Sequence, residues 1–254
     1  MMIEHRRKYF NNFSPTDITK LALWLDASDA STITLSGDKI IAWADKSINK
    51  NNVTQTTDSY RPVYVIGEKN GKNVIRFTRT STHSLFKSSP TGIGTGALPF
   101  TVVTVSKYGT YTNQAGAVIA YGLTTGNRQC YMPLHLNMQT YPTNSVYLSN
   151  HNNDRYSNNS FTVNNWYIMH VGWSGDAVSA IDPEIFINKT LQNPTSGTGS
   201  SIPDISASAL NIGMQNQGTN HFNSDIAEII FYSKILNVSE RQRLESYLAG
   251  KWGI

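Results

Sequence analysis

The apolar residues of this chain are gathered into short segments, each closed by residues that favour turns. Leu21-Ala22-Leu23-Trp24-Leu25 alternates, and Phe100-Thr101-Val102-Val103-Thr104-Val105, Trp166 to Trp173, Leu210 to Met214 and Ile226 to Tyr232 repeat the theme. Runs of this length, rich in β-branched and aromatic residues, read as strands. The stretches between them are polar, and 26 Ser, 25 Thr and 25 Asn residues supply about 30% of the 254 positions. Charged residues supply only 15%, against about 25% in an average soluble domain. This pattern argues against a helical bundle or a coiled coil, and no apolar run approaches the roughly 18 residues of a membrane-spanning helix. The length suits one large all-β domain with a substantial core.

Local signals refine the reading. Ser14 and Pro15 suit the N-cap and first position of a short helical piece. Ser31 to Leu35 and Lys39 to Trp43 read as a hairpin across Ser36-Gly37-Asp38. The Asn70-Gly71 turn leads into a strand at Asn73 to Phe77. Gly116 to Tyr121, Val146 to Leu148 and Glu184 to Ile187 are further strands. The one helix pattern is terminal: Ser239-Glu240-Arg241-Gln242 matches a capping box, Leu244, Tyr247 and Leu248 share a face, and Gly250 suits the C-cap. No repeat or linker divides the chain. The expected fold is therefore all-β, a two-sheet antiparallel sandwich with one short C-terminal helix.

Two segments carry a resemblance. The first is Phe13-Ser14-Pro15-Thr16-Asp17-Ile18, Leu21 to Asp29, Ala42-Trp43-Ala44-Asp45-Lys46-Ser47 and Arg61-Pro62. The second is Asp225 to Tyr232 with Leu236 to Arg241 and Leu244 to Ile254. They resemble the opening and close of concanavalin A-like (laminin-G-like) jelly-roll domains, and Trp166 to Leu191 is similar to that family's central strand pair. Lys189 stands where the family has Gly, so a two-residue turn at Asn188-Lys189 would be strained and a longer or different turn is expected. The resemblance implies a jelly roll over residues 21–254, preceded by an arm at residues 1–20. It is similar to domains of phage virion proteins, such as tail fibres and head decorations, and of bacterial surface proteins.

The chemistry of the residues points away from an enzyme. The Glu-x-Asp-x-(x)-Glu pattern of jelly-roll glycoside hydrolases is absent. Asp225 and Glu228 lie three apart on one strand, which places them on opposite faces if the strand is regular. There is no Gly-x-Ser-x-Gly, the six histidines show no metal-ligand spacing, and Cys130 is the only cysteine, so an intrachain disulfide is excluded. Asp26, Asp29 and Asp45 offer hard oxygen ligands for calcium, although Asp also builds turns without any ion. Tyr108, Tyr111, Tyr131, Tyr141 and Tyr156, with Asn152 and Asp154, offer rings and polar groups suited to a glycan or a protein partner.

The net charge of +4 owes much to His5-Arg6-Arg7-Lys8, and no basic stripe marks a nucleic-acid surface. That cluster is followed by Asn, Ser and Thr and not by an apolar stretch, unlike a signal peptide. The expectation is a non-enzymatic phage virion surface protein (tail fibre, head fibre or capsid decoration), assembled in the host cytoplasm and forming a homo-oligomer. Its partners are other virion proteins through the arm and host cell-surface glycans used for attachment, with no nucleic acid and no membrane insertion. The alternative is a carbohydrate-binding lectin module of a bacterial surface protein.

Overall fold

The computed structural model describes residues 13–109, 115–122, 129–136, 145–149, 155–157, 161–175, 183–192, 195–196, 205–215 and 218–254. In chain order the first strands are β1 (Leu21–Asp26), β2 (Ile33–Ser36), β3 (Lys39–Trp43), β4 (Val53–Thr54), β5 (Val63–Lys69) and β6 (Lys72–Phe77). They are followed by β7 (Leu85–Lys87), β8 (Phe100–Lys107), β9 (Ala115–Gly122), β10 (Gln129–Leu136), β11 (Ser145–Ser149) and β12 (Arg155–Tyr156). The last are β13 (Trp166–Trp173), β14 (Glu184–Ile187), β15 (Thr190–Gln192), β16 (Thr195–Ser196), β17 (Leu210–Ile212) and β18 (Ser224–Tyr232), ahead of helix α1 (Val238–Trp252).

All described pairings are antiparallel and form one continuous ladder. From one edge it runs β15, β14, β13, β8, β18. The far side of β18 is shared, its C-terminal half pairing with β1 and its N-terminal end with β6. The ladder continues through β5 and β3, and from β3 through β4 and β7 to β17 and β9. It closes with β10, β11, β12 and β16.

Side chains alternate across a strand, and here the alternation feeds two cores. On β8, Phe100 and Val102 enter a large cluster with Trp43, Leu85, Ile119, Leu210 and Ile212 from the other part of the ladder. Val103 and Val105 turn the other way and meet Trp24, Ile168, Ile230 and Tyr232 under the helix. Helix α1 presents Leu244, Leu248 and Trp252, spaced by one turn, to that second cluster. Each such large side chain contributes about 1.5–3 kcal/mol by leaving water, so one stripe suffices to seat the helix.

The helix ends differ from the sequence expectation. Asn237, not Ser239, is the N-cap: its side chain accepts from the Glu240 N–H, and the Glu240 carboxylate accepts from the Asn237 N–H. Gly253, not Gly250, is the C-cap, at φ +65°. The expected turn at Asn188-Lys189 is also corrected. Ile187 pairs with Thr190, so two residues make the turn, with Asn188 at φ +47° and Lys189 at +71°. The left-handed strain foreseen for lysine is present and is tolerated.

Residues 13–20, expected as part of the arm, pack on the domain. Pro15–Asp17 forms a 3-10 turn capped by Ser14, the Tyr232 hydroxyl donates to the Pro15 carbonyl, and the Phe13 ring meets Tyr247 edge-on at 5.7 Å. Residues 1–12 lie outside the described residues. No helix among the described residues is long and apolar enough to cross a membrane.

Candidate functional site

Where α1 crosses β1 and β18, ionisable groups are buried together. Asp26 and Glu228 are cross-strand partners, and Lys251 from the helix bridges them, 2.7 Å from Asp26 Oδ1 and 2.8 Å from Glu228 Oε2. Trp24 and Trp252 each donate their indole N–H to Glu228 at 2.7 Å. Burial drives the Glu228 carboxyl up and outweighs the pull of Lys251. Burial also pushes Asp26 up, but Lys251, Ser28 and Lys46 together hold it below the ordinary carboxylate range.

A bulge produces this arrangement. Between Ile226 and Ile229, which both face the larger core, lie two residues instead of one, and the register against β8 shifts there. Glu228 consequently meets Trp24 and Trp252 on the helix side. Asp225 lies on that side too, bound by Arg76 at 2.6 and 2.9 Å. The expectation of opposite faces is overturned, because it assumed a regular strand. The same geometry withholds chemistry: Glu228 is fully buried and both its oxygens are occupied.

The three aspartates expected as calcium ligands are engaged by nitrogen donors. Lys46 bridges Asp26 and Asp29 at 3.2 and 2.8 Å and lies 4.2 Å from the Trp24 ring centroid. The buried Asp45 carboxylate accepts from the N–H groups of Trp24, Ser47 and Asn51 at 2.7–2.8 Å and from the Ser47 hydroxyl at 2.6 Å. It pins β1 to the loop after β3. Among the described residues, no group of three or more His, Cys, Asp or Glu side chains is placed to hold a metal ion.

The expected ligand residues are distributed as follows. Tyr108 is 1% exposed and its ring stacks on Phe161 at 5.1 Å, so it belongs to the core and not to a binding surface. Tyr156 is half-buried on β12, in register with Tyr147 and Thr195. Tyr111, Tyr141, Asn152 and Asp154 lie outside the described residues.

Tyr131 stands in a row that register alone defines. Thr54, Phe86, Asn211, Ala120, Tyr131 and Ser149 are successive partners across β4, β7, β17, β9, β10 and β11. The neighbours Val53, Leu85, Leu210, Ile212 and Ile119 belong to the larger core, so Thr54, Phe86 and Asn211 occupy the opposite face of the ladder. The Phe86 ring is half-buried there, whereas Asn211 is only 4% exposed and its amide donates to the Ala209 carbonyl at 3.2 Å. A partly exposed aromatic ring suits the apolar face of a sugar, whereas the buried Asn211 amide is engaged within the fold. The sequence reading missed Phe86 and Asn211, since each lies in a three-residue strand and their proximity depends on long-range pairing.

Two concavities indent the surface formed by the described residues. One, of about 670 Å³, is lined by Thr16, Ile18, Lys20, Ile48, Ile93 and Leu98. The other, of about 460 Å³, lies between the β14–β15 turn and the first half of α1.

No protein-family model matches the chain, and no curated protein matches it in sequence. Solved structures do resemble it in fold. Domain 4 of AbnA, a GH43 extracellular arabinanase from Geobacillus stearothermophilus in complex with arabinotriose, superposes with a TM-score of 0.57 at 12% identity. That match covers 89% of this chain and 98% of the domain. A GH54 α-L-arabinofuranosidase soaked with a cyclic sulfate inhibitor gives 0.58 at 14% identity over 84% of this chain and 51% of its own. The binding domain of Paraclostridial Mosquitocidal Protein 1 gives 0.53 at 14% identity over 93% of this chain, which spans only 53% of that structure.

Proposed function

We propose that this protein is a non-catalytic carbohydrate-binding module whose ladder folds as a two-layer jelly-roll sandwich. The observation that carries the reading is the likeness to the arabinanase domain solved with arabinotriose, which matches over almost that domain's whole length. Glycan binding by a bacterial surface module thus takes precedence over the virion role, for which the neighbours in fold give no support. The absence of an enzymatic role is argued from the carboxylates described above, which are spent on lysine, indole and backbone donors. A general acid or base needs a carboxylate within reach of its substrate.

The binding face in this reading is the row containing Phe86 and Tyr131. The test is affinity electrophoresis of the purified chain against a polysaccharide panel that includes arabinan, followed by the Phe86→Ala and Tyr131→Ala variants. The expected result is retention of the native chain by at least one polysaccharide. Each variant should bind at least about tenfold more weakly with its melting temperature within a few degrees of native. Absence of retention by every polysaccharide overturns the module reading, and unchanged affinity in both variants removes this face from it.

A further inference from the structure

The cluster of Asp26, Glu228 and Lys251 is sealed from an outside substrate, but its members are placed to react with one another. Their side chains are at most 12% exposed. Lys251 Nζ lies 2.7 Å from Asp26 Oδ1, so the Asp26 carboxyl carbon, one C–O bond further on, is within about 4 Å of it. That is close to the roughly 3–3.5 Å separation of reacting atoms poised for attack. Lys251 also touches Glu228 Oε2 at 2.8 Å, and Glu228 faces Asp26 across the β1–β18 register. An amine, a carboxyl group and a second acid are thus held together in a buried site walled by the Trp24 and Trp252 indoles.

The surrounding contacts suit a reaction between these groups. Lys46 Nζ lies 3.2 Å from Asp26 Oδ2, where it can stabilise negative charge as it develops. The N–H and hydroxyl of Ser28 hold Asp26 Oδ1 at 3.1 and 2.7 Å, which fixes the carboxyl beside the amine. The two indole N–H groups fix the Glu228 carboxyl, each at 2.7 Å. Burial raises the pKa of that carboxyl against the pull of Lys251, which favours the form that carries a proton. A buried ion pair also bears a desolvation cost that its attraction only partly recovers. A neutral amide between the same atoms removes that cost.

From this geometry we infer that Lys251 and Asp26 become joined by an isopeptide bond, formed by the folded chain itself with Glu228 as the catalytic residue. Glu228 relays a proton from Lys251 Nζ to Asp26, leaving a free amine opposite a neutral carboxylic acid. Desolvation makes a lysine amine a competent nucleophile. Its lone pair forms the Nζ–Cγ bond, and the displaced charge rests on Oδ2 beside Lys46. The Cγ–Oδ1 bond then breaks. Of the three ammonium protons, two depart with Oδ1 as water and one stays on the amide nitrogen, so no further reactant is needed. The ion-paired arrangement is the reactant state, and the product ties β1 covalently to the last turn of α1. This modification is independent of the carbohydrate-binding reading.

The experiment is intact-mass spectrometry of the natively purified full chain, denatured for the measurement, followed by peptide mapping. The expected result is a chain lighter than its sequence by one water, with a branched peptide joining the segments that contain Asp26 and Lys251. On a denaturing gel it should run ahead of Lys251→Arg, whose guanidinium keeps the charge but stays protonated and cannot attack. Lys251→Arg and Glu228→Gln should both show the full sequence mass, with circular dichroism matching native. A native chain at its full sequence mass overturns the inference, and so does a loss of water mapped to any other residues. The native mass decides the bond even where a variant fails to fold. A folded Glu228→Gln chain that cross-links as completely as native overturns the role given to Glu228.

Discussion

His170 shows how one residue couples the core to pH. It lies inside β13, its ring edge-on to Phe186 at 5.4 Å, and burial followed by the charge of Arg241 pushes its pKa down to about 3. The unfolded chain, with an ordinary imidazole near 6.5, therefore binds a proton that the folded chain refuses. Stability from this residue is fully present above pH 6.5 and is lost as pH falls towards 3, about 2 kcal/mol between pH 7 and pH 5. Neighbouring Glu245 acts in the opposite sense, since burial raises its pKa against the pull of Arg241, so the measurement must isolate the histidine. Urea titrations at pH 7 and pH 5 should show that His170→Phe reduces the pH-dependent loss by that amount. An identical loss in variant and native chains would contradict the assignment. The placement of His170 within an apolar strand was legible in the sequence, because Ile168, Met169 and Val171 surround it. Its proximity to Glu245 was not, because helix and strand meet only in the folded chain.

At the scale of elements, α1 depends on its cap and on its buried charge. Asn237→Ala removes the acceptor for the Glu240 N–H and is expected to cost about 1 kcal/mol. Ser239→Ala is expected to cost far less, which chemical denaturation of the two variants will distinguish. Lys251→Met leaves Asp26 and Glu228 facing each other without their shared cation and should cost about 3 kcal/mol. A loss below 1 kcal/mol would mean the bridge has little part in seating the helix. Most elements were readable from local pattern: Trp166 to Trp173 and Glu184 to Ile187 form strands with the boundaries expected. The cap was misplaced because Ser239 with Gln242 and Asn237 with Glu240 satisfy the same spacing rule, and only the start of the apolar stripe separates them. The bulge between Ile226 and Ile229 left no mark in the sequence, since nothing in Ile226-Ala227-Glu228-Ile229 breaks a strand.

At the scale of the whole molecule, stability is expected to be independent of calcium. Lysines already neutralise Asp26 and Asp29, and backbone amides saturate Asp45, so the melting temperature should be the same in millimolar calcium and in chelator. A rise of several degrees in calcium would indicate an ion site on this rim. The candidate binding row was the least legible part of the protein. Tyr131 was singled out for its chemistry, but Phe86 and Asn211 join it only through pairings across β7, β17, β9 and β10. The continuous ladder also has a consequence for how the chain reaches its native state. Strand β18 is paired along both sides, with β8 on one and with β1 and β6 on the other, and the Trp24–Glu228 hydrogen bond closes a loop of 204 residues. A nascent chain on the ribosome lacks this inner strand until Ser224–Tyr232 has been made. The earlier strands must wait with their edges open. Folding of this ladder accordingly waits for its late inner strand and a slow loop closure, and chaperones that shield strand edges have their longest opportunity to act before Ser224–Tyr232 emerges.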